Sequence, residues 1–230
     1  MNKITQPVAE LHRIKDSEDV ALRLERLDHD LPATRLAGVR NFNTTYLIIT
    51  QNVRAAIRKG MFEHAGFINH FDGQFARYYL AALSDYQDGK PTPPAWHQAF
   101  DAALDGASAP LRYTGLGVNA HVNNDIAQVL RDCKASERHY GDYLLVNDII
   151  ADSVYQVLDS IDTPRRLKAP ISPKRTILQP MYKQVMKFYV RRWRGRAWQN
   201  YLGLLDRRIT IRDIEASAGR TARYLKTIPV

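Results

Sequence analysis

The residues whose types and spacing carry most chemistry run from Gly115 to Ile126, Gly-Leu-Gly-Val-Asn-Ala-His-Val-Asn-Asn-Asp-Ile. His121 and Asp125 are four apart, so on a helix their side chains share one face and can reach a common ligand. An imidazole and a carboxylate so placed can hold one divalent ion: zinc, iron or manganese. The same spacing also suits a plain hydrogen bond that ties the helix to its neighbours. Gly115 and Gly117 each cost a helix roughly 1 kcal/mol against alanine. Their place just before His121 implies that another backbone or a ligand comes close. Asn119, Asn123 and Asn124 are also poor helix formers, and buried polar side chains are costly unless used.

A metal needs further ligands, usually three or four in all. Asp72 is the best candidate, since it interrupts Phe71 and Phe75 on an aromatic helix. Asn147 takes a core position in the stripe Tyr143, Asn147, Ile150, Val154 and therefore asks for a buried partner. His64, His70 and Asp142 read more simply as structural hydrogen-bonding groups.

The elements that must position these residues are helices. Asp16-Ser17-Glu18-Asp19 opens a run to Asp30, with Val20, Leu24, Leu27 and Leu31 on one stripe. A second run spans Leu36 to Arg58 and stops at Gly60, placed as a C-terminal cap. Others cover Ala65 to Tyr86, Ala95 to Leu104, Pro110 to Cys133, Ser136 to Ser160, Met181 to Leu205 and Ile211 to Leu225. No alternation of period two marks a strand. The expected fold is all-α, a compact bundle of about seven or eight helices in one domain over residues 1–230. Residues 1–15 are set apart as a flexible lead-in. Residues 161–180, with Pro164, Pro170, Pro173 and Pro180, are expected to form an irregular loop.

Composition excludes several classes. The single cysteine, Cys133, rules out an internal disulfide framework and a cysteine zinc cluster. No apolar run has the length of a signal peptide or membrane span, so a cytoplasmic location without a transmembrane segment is expected. Net charge is +9, and residues 161–230 hold 17 Lys and Arg against 4 Asp and Glu. Such a basic half suits an anionic partner or a solvated helix face. Aromatics among these charges fall at core spacing, so nucleic acid is not expected to bind, while peripheral contact with a membrane surface stays open. The phosphate-binding glycine loop, the Gly-x-Ser-x-Gly elbow and the Glu-x-x-His di-iron pair are absent.

The chain from about Arg40 to Leu205 resembles a bacterial family of unknown function with a Gly-x-Asn-Ala-His-Ile-x-x-Asp-Leu core. Gly117 to Ile126 match that core. Phe75-Ala76-Arg77-Tyr78-Tyr79, Ala95-Trp96, Asp142-Tyr143 with Asn147, and Arg196-Ala197-Trp198 match its other segments. The resemblance implies no activity. Locally, Leu116-Gly117-x3-His121-x3-Asp125 is similar to the zinc-binding helix of zinc-dependent phospholipases C, which implies metal ligation by His121 and Asp125 and phosphoester hydrolysis. That superfamily has a further histidine where this chain has Leu130 and Arg131. Its His-x3-Glu pair is also missing, so the three-metal site cannot exist in that form.

Three functional expectations follow. The first is a metal-dependent, hydrolase-like enzyme. His121, Asp125 and Asp72 would hold the ion, Asn119 and Asn147 would position substrate or water, and Arg196 would neutralise an anionic group on a small, partly apolar substrate. The second is a helical binding module whose basic face meets an anionic partner. The third is a metal-free small-molecule binder using an aromatic pocket.

Overall fold

The computed structural model describes residue 4 and residues 7–104, 110–160 and 173–227. Among these residues every regular element is helical. The first helix, α1 (Ser17–Asp30), starts where its sequence says it should. The Asp16 carboxylate accepts the backbone N–H groups of Glu18 at 3.0 Å and Asp19 at 3.1 Å, satisfying two donors the helix cannot pair internally. Val20, Leu24 and Leu27 are fully buried along its inner stripe. Ahead of it, Ile14 is 1% exposed, and Arg23 donates to the carbonyls of Pro7, Ala9 and Glu10. The lead-in is therefore tied to α1.

Next come α2 (Arg40–Arg58), α3 (Ala65–Gln87) and α4 (Pro94–Leu104). Gly60 closes α2 with φ of +68°, a conformation that glycine adopts without steric cost. The residues just before α3 donate N–H groups to Asp142, from Glu63 at 3.0 Å and His64 at 2.6 Å. Asp142 thus anchors the start of α3 from a distant helix.

The segment expected as one α-helix from Pro110 to Cys133 is continuous but not uniform. It comprises α5 (Pro110–Asn119), a π-helical stretch over Ala120–Asp125, and α6 (Ile126–Asp132). The run expected from Ser136 to Ser160 divides at Ser153 into α7 (Tyr140–Asp152) and α8 (Val154–Ser160). Residues 161–172 lie outside the described residues. The long helix α9 (Pro173–Leu205) begins eight residues earlier than its prolines suggest. Pro173 occupies the first helical position, where a missing N–H costs nothing. Pro180 lies within the helical span, so the expected irregular loop does not extend over 173–180. The last helix is α10 (Ile211–Thr227). Counting α5, the π stretch and α6 as one gives nine helices among the described residues.

One apolar cluster joins the early and late helices. Trp96, Tyr79, Phe100 and Leu116 occupy its centre, and Ala197, Trp198 and Tyr201 of α9 with Ile214 and Ala218 of α10 belong to it. The π stretch touches α3, α4, α9 and α10. Ala120, His121, Asn124 and Asp125 are therefore buried, while Val122 and Asn123 stay partly exposed.

Candidate functional site

His121 and Asp125 are 4% and 1% exposed. His121 Nδ1 lies 3.2 Å from Asp125 Oδ2. Two further groups fix the carboxyl group. Trp96 donates its indole N–H to both oxygens, at 3.2 Å and 3.0 Å, and Asn124 Nδ2 donates to Oδ1 at 2.9 Å. The imidazole is enclosed by aromatic rings, with Tyr46 4.5 Å and Phe42 5.6 Å away between centroids, both edge-on. Its other nitrogen, Nε2, is buried and has no hydrogen-bond partner among the described residues.

Burial decides the protonation of this pair. It pushes the Asp125 carboxyl up to about 8, against the opposing pull of the Asn124 and Trp96 hydrogen bonds. Burial also holds His121 well below the usual histidine value, helped by the positive charge of Arg194. Near neutral pH the pair is therefore uncharged. The carboxyl proton is placed to bridge to Nδ1, which leaves the ring hydrogen on Nε2.

The local backbone follows from close packing. A Cβ on Gly117 would stand 2.4 Å from Phe42 Cγ, so only glycine lets the α2 ring reach under the π stretch. The expected close approach at this glycine is thus an aromatic ring. Gly115 is different, because a Cβ there would meet nothing within 4 Å. It borders a cavity of about 560 Å³.

That cavity lies between α2, α3, α5, the π stretch, α7, α8 and α9. Its wall is overwhelmingly apolar, with Phe71, Phe75, Val118 and Trp193 among the contributors. His121, Asp72 and Arg194 also line it. Its size falls within the range of small-molecule sites, which combine an apolar lining with a few fixed polar groups.

The expected site residues separate on this map. Asp72 lines the same cavity as His121, is buried, and has no partner for Oδ2 among the described residues. Burial, with the charge of Asp16, raises its carboxyl to about 7. Asn119 is used elsewhere: Nδ2 donates to the Ala218 carbonyl at 3.0 Å, and Oδ1 accepts from Asn123 at 3.0 Å. It ties α5 to α10 and does not line the cavity. Asn147 is fully buried, and Oδ1 accepts from Arg194 Nε. Arg196 is exposed and absent from the cavity wall. The arginine that lines it is Arg194, two positions earlier and 4% exposed. Its place three residues before buried Ala197 and four before buried Trp198 is the helical signal that marks it.

Among the described residues, no group of three or more His, Cys, Asp or Glu side chains is placed to hold a metal ion. His121 and Asp125 come together, but both Asp125 oxygens already accept N–H donors. Ligands from these helices alone fall short of the three that catalytic zinc sites use. His64, His139 and Asp142 form a separate group: His64 Nδ1 is 3.4 Å from Asp142 Oδ2, and the two imidazoles meet edge to face at 5.1 Å. No helix among the described residues is long and apolar enough to cross a membrane.

Residues 17–228 match the family model described as "Family of unknown function (DUF5995)". The chain is a member of that family. No curated protein and no solved structure matches it.

Proposed function

We propose that this protein binds a small, largely apolar molecule in the cavity beside His121. The observation that carries the reading is the cavity itself, a partly open hollow of about 560 Å³ with an almost wholly apolar wall. A concave apolar space with a few polar groups converging on it is the usual form of a small-molecule site. The wall supplies contact area, and His121, Asp72 and Arg194 supply orientation. Gly115 keeps one side open by lacking a side chain. The test is saturable binding of a neutral, environment-sensitive apolar dye, Nile red, to the full chain. Wild type is expected to bind one equivalent. Gly115→Phe, which projects a ring into the space, is expected to weaken binding at least tenfold with helix content unchanged. Equal binding by both would remove the cavity as the site.

A metal-dependent reading has one observation in its favour, the unpartnered Nε2 of a histidine whose other nitrogen meets a carboxyl group. Carboxylate–histidine–metal arrangements use this orientation. The ion would sit on Nε2 with Asp125 behind the ring, and its remaining ligands would have to come from water, substrate or residues beyond those described. Elemental analysis of protein purified without an affinity tag decides between the two. Stoichiometric zinc, iron or manganese that His121→Ala abolishes would restore the metal-dependent enzyme to first place.

A further inference from the structure

The cavity wall holds one feature that a purely apolar ligand does not explain. Arg194 is 4% exposed, and among the described residues it makes no ion pair. Among the described residues, the groups it touches are all neutral. Nε donates to Asn147 Oδ1, a terminal nitrogen stands 3.5 Å from the Tyr143 carbonyl, and the guanidinium lies 4.2 Å above the Tyr143 ring. Elsewhere on the same helix the cations do find acids: Lys187 and Arg191 share Asp148 at 2.9 Å and 3.2 Å. Burying a charge costs several kcal/mol unless an opposite charge or a full set of hydrogen bonds compensates. Arg194 has the acceptors of one amide, one carbonyl and one ring face, while its guanidinium carries five donors. The missing partner is an anion, and the space beside the guanidinium is where one can sit.

We propose that the ligand is an amphipathic anion, a chain-like apolar body ending in a carboxylate, and that Arg194 receives the carboxylate while the aromatic wall covers the chain. This rests on the binding reading above and names its ligand class. A guanidinium and a carboxylate match in planar, two-point geometry. His121 lines the same cavity, and the Arg194 charge acts on its ring. Asp72 also lines the cavity, and burial keeps its carboxyl substantially protonated near neutral pH, which limits repulsion of an anion. The rest of the wall offers a dodecyl-length chain aliphatic and aromatic contact from Ile49, Val53, Phe67, Ile150 and Leu158.

The experiment is displacement of Nile red from the full chain by dodecanoate, dodecanol and dodecylamine, each below its aggregation concentration. Wild type is expected to release dye at a dodecanoate concentration at least tenfold below that of dodecanol, with dodecylamine weakest. Arg194→Met, close in volume and uncharged, is expected to bring dodecanoate level with dodecanol. Arg194→Lys is expected to retain part of the preference, and Arg196→Met all of it. Dodecanol equal to or better than dodecanoate on wild type overturns the anion inference and leaves cavity binding intact. That comparison needs no variant to fold. Failure of Nile red and all three probes to bind overturns both the inference and the reading beneath it.

Discussion

His121 lies flat against Phe75, with ring centroids 3.4 Å apart and planes within 6° of parallel. The imidazole is thus clamped between α3 and the π stretch, and packing fixes it as firmly as the contact with Asp125. A ring so enclosed takes on a proton only by bringing charge into an apolar site. Its value lies well below the ordinary 6.5, through burial and the Arg194 charge. The expected outcome is that the side-chain nitrogen NMR shifts of His121 stay those of a neutral ring from pH 8 down to pH 5.5. A midpoint near 6.5 would mean that water reaches the ring.

Asp125 accepts from Trp96 and Asn124 and shares its proton with His121, so its removal should be felt as lost stability. Asp125→Ala strands the Trp96 indole N–H and the Asn124 amide in the interior, each costing about 1–3 kcal/mol. A loss of about 2–5 kcal/mol in chemical denaturation is expected. Asp125→Asn keeps one acceptor oxygen and should lose less than half as much. A near-neutral Asp125→Ala would show that these hydrogen bonds contribute little.

Asp72 makes stability depend on pH in an unusual direction. Its carboxyl rises from 3.8 to about 7 on folding, so between those values the folded chain binds the proton more tightly than the unfolded chain. Stability from this group is greatest below pH 4, falls as pH rises, and levels off above about 7. Asp72→Asn removes the titration. Relative to wild type the variant should gain about 1–4 kcal/mol between pH 4 and pH 8, the upper end corresponding to the full shift. Parallel stability curves for the two proteins would place Asp72 in contact with water.

Two neighbouring glycines should respond oppositely to the same substitution. Gly115→Ala puts a methyl group into open space and should raise stability by up to about 1 kcal/mol through helix propensity alone. Gly117→Ala drives a Cβ to within 2.4 Å of Phe42 and should lower stability by about 1–3 kcal/mol, since the ring must move. Thermal melts of both variants check the pair. Equal shifts would mean that Phe42 yields without cost.

Periodicity made the helices readable in the sequence. The Val20, Leu24, Leu27 stripe, the Asp16 cap and Gly60 at the end of α2 all carry local rules, and the structure follows them. The proline-rich stretch misled because Pro173 at a first turn is compatible with helix, and proline count does not report position. At the site, the contact between His121 and Asp125 was legible from spacing. The partner Trp96 was not, because it arrives from α4 by tertiary packing. Asn119 looked like a site residue through its composition, yet its amide serves the α10 backbone. Arg194 was hidden among the many cations and aromatics of α9, where only its phase relative to Ala197 and Trp198 separates it from exposed Arg192 and Arg196.

The π stretch over Ala120–Asp125 has a consequence for which lengths this helix can have. A π turn accommodates one more residue than an α turn over the same stretch. Deleting one residue, Val122 for instance, would let the helix run straight through as α. The six residues of the π stretch turn through about the same angle as five in α geometry, so the helices on either side would keep their phase. Ile126, Ala127, Val129 and Leu130 would still fill the inner face of α6. The loss would fall on the buried pair, because His121 and Asp125 would stand three apart in place of four. The irregular turn is thus a one-residue reserve of length, which a deletion can remove without turning α6 away from the core.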